Sequence, residues 1–115
     1  MIIQIVRYAS RLSRDDVQSR FEARSDRYRQ VPGLLQKYYV HFTETDEYGG
    51  VYLWDSRESL DAWTAGNLSG TLAETYQIEG EPLRELLDVM LVLRPVAGMP
   101  MEDGDLRAAA GKGKA

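Results

Sequence analysis

The order in which β-rich and helical stretches follow one another, β-α-β-β-α-β, predicts an α+β fold of the ferredoxin-like kind, a four-stranded antiparallel sheet with its helices on one face. Three observations carry this reading. Pro32 to Asp55, PGLLQKYYVHFTETDEYGGVYLWD, holds two β-rich runs around a polar loop and reads as an antiparallel hairpin. Residues 14–30 repeat core-type side chains at helical spacing, and Leu86 to Arg94, LLDVMLVLR, is a near-continuous apolar run suited to a strand buried on both faces. At 115 residues the chain has room for one domain.

Ile2 to Tyr8, IIQIVRY, is short and β-branched, a strand for the middle of a sheet. Ser13 then has the marks of a helix N-cap, with Asp15 and Asp16 in the first turn and Leu12 and Val17 spaced as a hydrophobic staple. Val17, Phe21, Arg24, Tyr28 and Val31 fall on one side of the helix that follows, a buried stripe with Arg24 as its odd member, and Pro32-Gly33 ends it. In the hairpin, runs 34–42 and 50–55 flank the loop Thr43 to Tyr48. Tyr38, Val40 and Phe42 share one face of the first run, whereas Leu35, Lys37, Tyr39 and His41 share the other. Which set meets the helices depends on register, because a one-residue slip exchanges them.

Asp55 or Ser56 caps a second helix carrying Leu60, Trp63 and Asn67, which Gly66 or Gly70 should break. A shorter helical piece with Leu68, Leu72 and Tyr76 in register completes the layer. The last strand is expected at 86–94, between Pro82 and Pro95. From Val96 the composition shifts to Gly, Ala, Pro and charge, so the domain is expected over 1–95, with 96–115 a flexible or partner-docked tail. Apolar residues on both faces of the first and last strands leave one sheet face bare in a single chain, which predicts a homodimer.

Composition removes several classes of function. A net charge of −4 repels phosphate backbones, so no nucleic-acid partner is expected. The absence of cysteine rules out disulfides, thiolate catalysis and thiolate-bound clusters. One histidine and no cysteine cannot assemble a zinc tetrahedron or a two-histidine triad within one chain, and no glycine-rich fingerprint opens a helix, so neither metal nor cofactor is expected. No run approaches the ~18 apolar residues of a membrane span. Met1 leads straight into a strand with no leader-like segment, and a cytoplasmic protein with no membrane partner is the expectation.

Among the candidates for chemistry, His41 stands out, since histidine titrates near neutral pH and suits a general base. Its bland counterpart is a histidine bonded to a loop carboxylate such as Glu44. Tyr38, Tyr39, Tyr52, Trp54, Trp63 and Tyr76 could stack a planar ligand or simply fill a core. Lys37 reads as a partner for Asp55 across the hairpin. Glu44, Asp46 and Glu47 lack the ligand pattern of a calcium loop and read as a solvated turn.

Pro32-Gly33-Leu34-Leu35, Lys37 and Tyr39 on the first hairpin strand, Gly49-Gly50-Val51-Tyr52-Leu53-Trp54 on the second and the helix opened by Ser56 resemble the YdhR-type monooxygenases. These belong to the dimeric α/β-barrel superfamily that includes the antibiotic-biosynthesis monooxygenases, and the likeness spans roughly residues 1–95. It implies two sheets packed into a barrel with the helices outside. It also implies oxygenation, with O2 and no cofactor, of an aromatic, phenolic or polyketide-like small molecule that supplies its own electrons once deprotonated. On that basis His41 is the expected base and Tyr39 the donor to the developing oxyanion, with Tyr52, Trp54, Trp63 and Asn67 binding substrate. Quinone-forming relatives carry an asparagine and then a tryptophan on one helix; here Trp63 precedes Asn67, and that pair does not carry over. Haem-degrading relatives use a helical histidine, whereas His41 falls on a strand. The alternatives are a non-catalytic ligand-binding or interaction module of the same fold, or a cofactor-free isomerase or cyclase. An enzyme should keep a cavity of several hundred Å³ with converging polar tips, while a module could fill the gap with Trp54, Trp63 and Phe21.

Overall fold

The β-branched first strand, β1 (Ile2–Ser10), occupies the sheet interior, where its side chains can be covered from both neighbours. In this computed structural model, which describes residues 1–96, the strand order is β2–β3–β1–β4, all antiparallel, with β2 at Leu34–Phe42, β3 at Glu47–Trp54 and β4 at Ile78–Asp88. Helices α1 (Arg14–Arg29), α2 (Arg57–Thr64), α3 (Asn67–Gly70) and α4 (Leu72–Thr75) supply the second layer. This is the ferredoxin-like α+β arrangement that the order of elements predicts. Beyond Val96, the expected tail lies outside the described residues.

The helices form where their caps and stripes direct. Ser13 accepts from the Asp16 amide at 3.2 Å, and Val17, Phe21, Arg24 and Tyr28 are the buried side of α1. Ser56 caps α2 through the Ser59 amide at 3.2 Å, and that helix buries Leu60 and Trp63 before the chain breaks at Ala65-Gly66. The second helical piece is two single turns rather than one, with Leu72 and Tyr76 buried and Leu68 packed against the core.

Alternation along β1 places Gln4, Val6 and Tyr8 under the helices. Between the layers the core is largely aromatic: Tyr8, Phe21, Tyr28, Tyr48, Tyr52, Trp54, Trp63 and Tyr76 are all buried. Tyr52 and Trp54 stack at 6.0 Å, and Trp63 meets both, at 4.9 and 5.7 Å. The Trp54 indole donates to Gln4 Oε1 at 3.0 Å, which satisfies two polar groups that would otherwise be costly to bury.

Two strands depart from expectation. β3 begins at Glu47, so the hairpin turn is only Thr43 to Asp46, closed by the Asp46 amide on the Phe42 carbonyl at 2.8 Å, with Asp46 in the left-handed region at φ 57°. The last strand is the larger correction. It runs Ile78–Asp88 rather than 86–94, and its side chains are mostly exposed instead of buried on both faces. Its extent follows its pairing with β1, in which Ser10 meets Ile78, Ile2 meets Asp88 and the Val89 amide reaches the Met1 carbonyl at 3.1 Å. Pro82 fits because β4 is an edge strand with a bulge there, Arg7 facing Leu83 and Ala9 facing Glu79.

Gly33, at φ 81°, joins α1 to the hairpin, and its carbonyl receives the Asp55 amide at 2.9 Å. A side chain at this position would strike both the Ser59 side chain and the Asp55 carboxylate. Gly33→Ala should therefore destabilise the chain by roughly 2 kcal/mol or more, from left-handed strain and steric conflict together, read as a lower urea midpoint at unchanged slope.

Candidate functional site

The hairpin register decides which residues of β2 meet the helices. Lys37 faces Tyr52, Tyr39 faces Gly50 and His41 faces Tyr48. Directly opposed residues share a face, and Tyr48 and Tyr52 are buried in the core, so Lys37, Tyr39 and His41 line the helix side. Gln36, Tyr38, Val40 and Phe42 take the open side. A bulge at Leu34/Gln36 makes Leu34 the partner of Trp54 and leaves Leu35, expected with the Lys37 set, about half exposed.

Lys37 does not pair with Asp55. Its amine lies against three tyrosine rings, 3.2 Å from the centroid of Tyr28, 4.1 Å from Tyr39 and 4.5 Å from Tyr52. Gly50 makes the room: a Cβ there would lie 3.2 Å from the Lys37 stem and 3.0 Å from the Tyr52 ring. Withdrawal from water lowers the amine from the usual 10.5 to about 6, and the positive charge of Arg24 adds to the effect. Burial likewise pushes the hydroxyls of Tyr39 and, further, Tyr52 above the usual phenol range.

Arg24 is the second buried cation. Its guanidinium donates to Thr75 Oγ1 at 2.8 Å and to the Leu68 carbonyl at 2.7 Å, with Thr71 Oγ1 at 3.4 Å, and so ties α1 to the α3–α4 segment. Among the described residues no carboxylate pairs with Arg24 or Lys37; the ion pairs found are Arg7–Glu47, Arg11–Glu79, Asp26–Arg29, His41–Asp46 and Arg57–Asp61. The buried hydroxyls of Tyr28 and Tyr39 have no hydrogen-bond partner, nor do Arg24 Nε and Trp63 Nε1.

Two hollows open between α1 and the edge strand β2. One, of about 630 Å³, is walled by Tyr28, Lys37 and Tyr39 together with Ser25, Arg29 and Leu34, and runs around the strand edge to Leu35, Gln36 and Tyr38. The other, of about 220 Å³, lies toward His41, Tyr48, Phe21 and Val17, and shares Ser25 and Tyr39 with the first. His41 Nε2 contacts Asp46 Oδ1 at 2.8 Å, so the loop carboxylate that holds it is Asp46 and not Glu44; its ring lies 4.9 Å from that of Tyr48.

The sequence-predicted residues therefore divide. His41, Tyr39 and Tyr52 come together on the helix face of the hairpin. Trp54 and Trp63 are packed in the core, and neither hollow is lined by them. Asn67 is exposed at the start of α3, on a different helix from Trp63. Sequence reasoning missed Tyr28, Arg24, Ser25 and the position of the Lys37 amine. Arg24 did carry a signal, as a cation within a buried stripe. No metal-holding cluster occurs among the described residues, and no helix is long and apolar enough to cross a membrane.

The lowered amine makes stability depend on pH in a definite sense. Between about 6 and 10.5 the unfolded chain binds the Lys37 proton and the folded chain does not, so folded-state stability rises with pH across that window and the cost of giving up the proton on folding is greatest at its lower end. Lys37→Met removes the cost. The variant should melt higher than wild type near pH 6, with the gap closing toward pH 10, as thermal denaturation over that range will show.

A profile for the family described as "Putative mono-oxygenase ydhR" matches residues 2–79. A comparison with curated protein sequences returns no match. Among solved structures, the chain is similar to SnoaB of Streptomyces nogalater, described as a cofactor-independent oxygenase, at 12% identity and a TM-score of 0.65 over 82% of this chain and 97% of that one. It is similar to the heme-degrader MhuD of Mycobacterium tuberculosis, whose structure holds two hemes in its active site, at 19% identity and a TM-score of 0.67 over 82% and 100%. It also matches an antibiotic biosynthesis monooxygenase at 14% identity and a TM-score of 0.62 over 79% and 100%. At these identities the structures establish the fold alone, shared with the antibiotic-biosynthesis monooxygenase type, and the family is set by the profile match across most of the hairpin-centred domain: the chain belongs to the YdhR family of mono-oxygenase-like proteins.

Proposed function

We propose that this chain is an oxygenase that uses O2 without a bound cofactor on an electron-rich, planar hydroxyarene, working as a homodimer in the cytoplasm. The observation that carries the reading is the paired hollow between α1 and β2, where tyrosine faces, an unpartnered Tyr39 hydroxyl and His41 line one wall. With Asp46 accepting from Nε2–H, His41 Nδ1 is left as the proton acceptor. It would take the substrate hydroxyl proton; the aryloxide then gives electrons to O2, a C–O bond forms at the ring, and loss of water leaves a quinone, so that hydroxyarene and O2 become quinone and water. Tyr39 donates to the developing oxyanion, and Tyr52, buried and lining neither hollow, forms the floor behind the tyrosine wall. Trp54 and Trp63 support this floor from behind, and Asn67 has no part in it. The histidine that haem ligation would need is here on a strand with Nε2 turned to Asp46, a poor fit to that group.

The second reading, a non-catalytic module, is favoured by one feature: Trp54, Trp63 and Tyr52 fill the gap between the layers, leaving the hollows only at the β2 edge. Oxygen uptake separates the two. Wild type should consume O2 with a dihydroxynaphthalene or an anthrone, and His41→Ala and Tyr39→Phe should slow it by about 10²-fold and about tenfold. Equal rates in the variants and wild type would remove both residues from the chemistry, and no uptake across the panel would leave the module.

The dimer rests on the open sheet face. Ile5 and Val51 face one another there, with Leu53, Tyr38, Leu83 and Leu87 around them; Tyr38, Leu83 and Leu87 are each more than 40% exposed. A second copy covering this face would form the barrel of the superfamily. Light scattering should give twice the 13.0 kDa chain mass, and Val51→Glu should halve it. A single-chain mass for wild type would sink the dimer.

A further inference from the structure

His41 has a role in the reading above; Lys37 has none, although it is the more unusual group. The chain places an amine among Tyr28 from α1, Tyr39 on β2 and Tyr52 on β3, with Arg24 of α1 as the nearby charge, and among the described residues no carboxylate pairs with it. Two wall hydroxyls, on Tyr28 and Tyr39, are buried without a partner in hydrogen-bonding geometry, with Tyr52 close to the first and Ser25 to the second. Buried hydroxyl donors beside an amine that has no counter-ion mark a place for one acidic oxygen.

The geometry points to Lys37 as the anchor for an acidic hydroxyl of the aromatic ligand, which binds there as its anion. The proton passes from the ligand O–H to Lys37 Nζ, giving an ammonium beside an aryloxide; no bond to carbon changes. Each partner repairs a fault of the other. The ammonium, disfavoured alone in this cage, gains a counter-ion and three ring faces. The aryloxide gains the Tyr28 hydroxyl as a donor, leaving that of Tyr39 to the reacting ring. Gly50 keeps the position open, since a side chain there would press on the Lys37 stem and the Tyr52 ring.

The anchor is separate from the proton acceptor proposed at His41. Lys37 and His41 stand four positions apart on β2, roughly 13 Å at strand rise, and Tyr39, between them, lines both hollows. The substrate class follows: an elongated, polycyclic hydroxyarene with an acidic oxygen at the end remote from the reacting ring. This rests on the oxygenase reading for its substrate class but not for its test.

The test uses 2-naphthol under nitrogen, near neutral pH, where the free compound keeps its proton. Wild type and His41→Ala should both bind it with the absorption band of the naphtholate. Lys37→Met should bind roughly tenfold more weakly and without the band, while 2-methoxynaphthalene, which has no proton to give, should bind wild type and variant alike. Thermal melting confirms that the variant is folded. A neutral bound naphthol in wild type, a band that survives in Lys37→Met, or a band lost in His41→Ala would each overturn the assignment. With an oxidised substrate in hand, Lys37→Met should raise KM with kcat little changed, and an unchanged KM counts against the anchor. Naphtholate capture by a protein that consumes no O2 supports the anchor while removing the oxygenase.

Discussion

The pairing of β2 with β3 governs everything that follows at the site. Tyr39 opposite Gly50 and Lys37 opposite Tyr52 put a ring, a gap and an amine side by side under α1. A slip of one residue would send Lys37, Tyr39 and His41 to the open face and bring Tyr38, Val40 and Phe42 inward. The register is held at both ends by backbone that few residues accept. Gly33 starts the hairpin at positive φ in close contact with the cap of α2, and Asp46, also at positive φ, closes the turn while its carboxylate holds His41. The hairpin and the site are therefore one construction.

Two buried cations show how the same burial is resolved by different chemistry. Arginine keeps its charge in any protein interior, so Arg24 has to find acceptors, and it finds neutral ones: two threonine hydroxyls and the Leu68 carbonyl. Those contacts fasten the short helical turns α3 and α4 to α1. Lysine can shed its proton, and Lys37 sits among ring faces that ask for no acceptor. One cation thus serves as a structural tie. The other is left reactive at a cost to stability, an arrangement more common at sites than in cores.

Much of this was legible in the sequence, for local reasons. The caps at Ser13 and Ser56, the stripe Val17–Phe21–Arg24–Tyr28 and the β-branched first strand are set by neighbours in the chain, and all appear where those neighbours dictate. What was not legible depends on partners distant in sequence. The run 86–94 reads as a strand on composition, yet a strand forms where it finds a partner, and β1 pairs with residues 78–88. Lys37 and Asp55 looked like a cross-hairpin pair because charge was the only feature visible; that Gly50 would open a place beneath three rings is a fact of packing. The face of β2 that meets the helices could be posed as a question but not answered, since alternation fixes which residues travel together and not where they go.

The location of the hollows follows from the aromatic core. Rings that stack as closely as Tyr52, Trp54 and Trp63 leave no room for a ligand in the middle of the layer, and a core packed to that density does not yield to one. Space remains at the margin, where β2 has no outer neighbour and α1 presents Gln18, Glu22 and Ser25 along with its apolar stripe. An edge strand is usually a weakness to be covered. Here the edge carries an amine and an imidazole that face inward, Lys37 and His41, at a border of the inter-layer space that opens to solvent, with Tyr39 shared by the hollows on either side of it. The opposite face of the same strand contributes Tyr38 to the apolar surface offered for association. β2 therefore works on both sides, and because its side chains alternate unbroken from Gln36 to Phe42, a shift of register there would change both sides together.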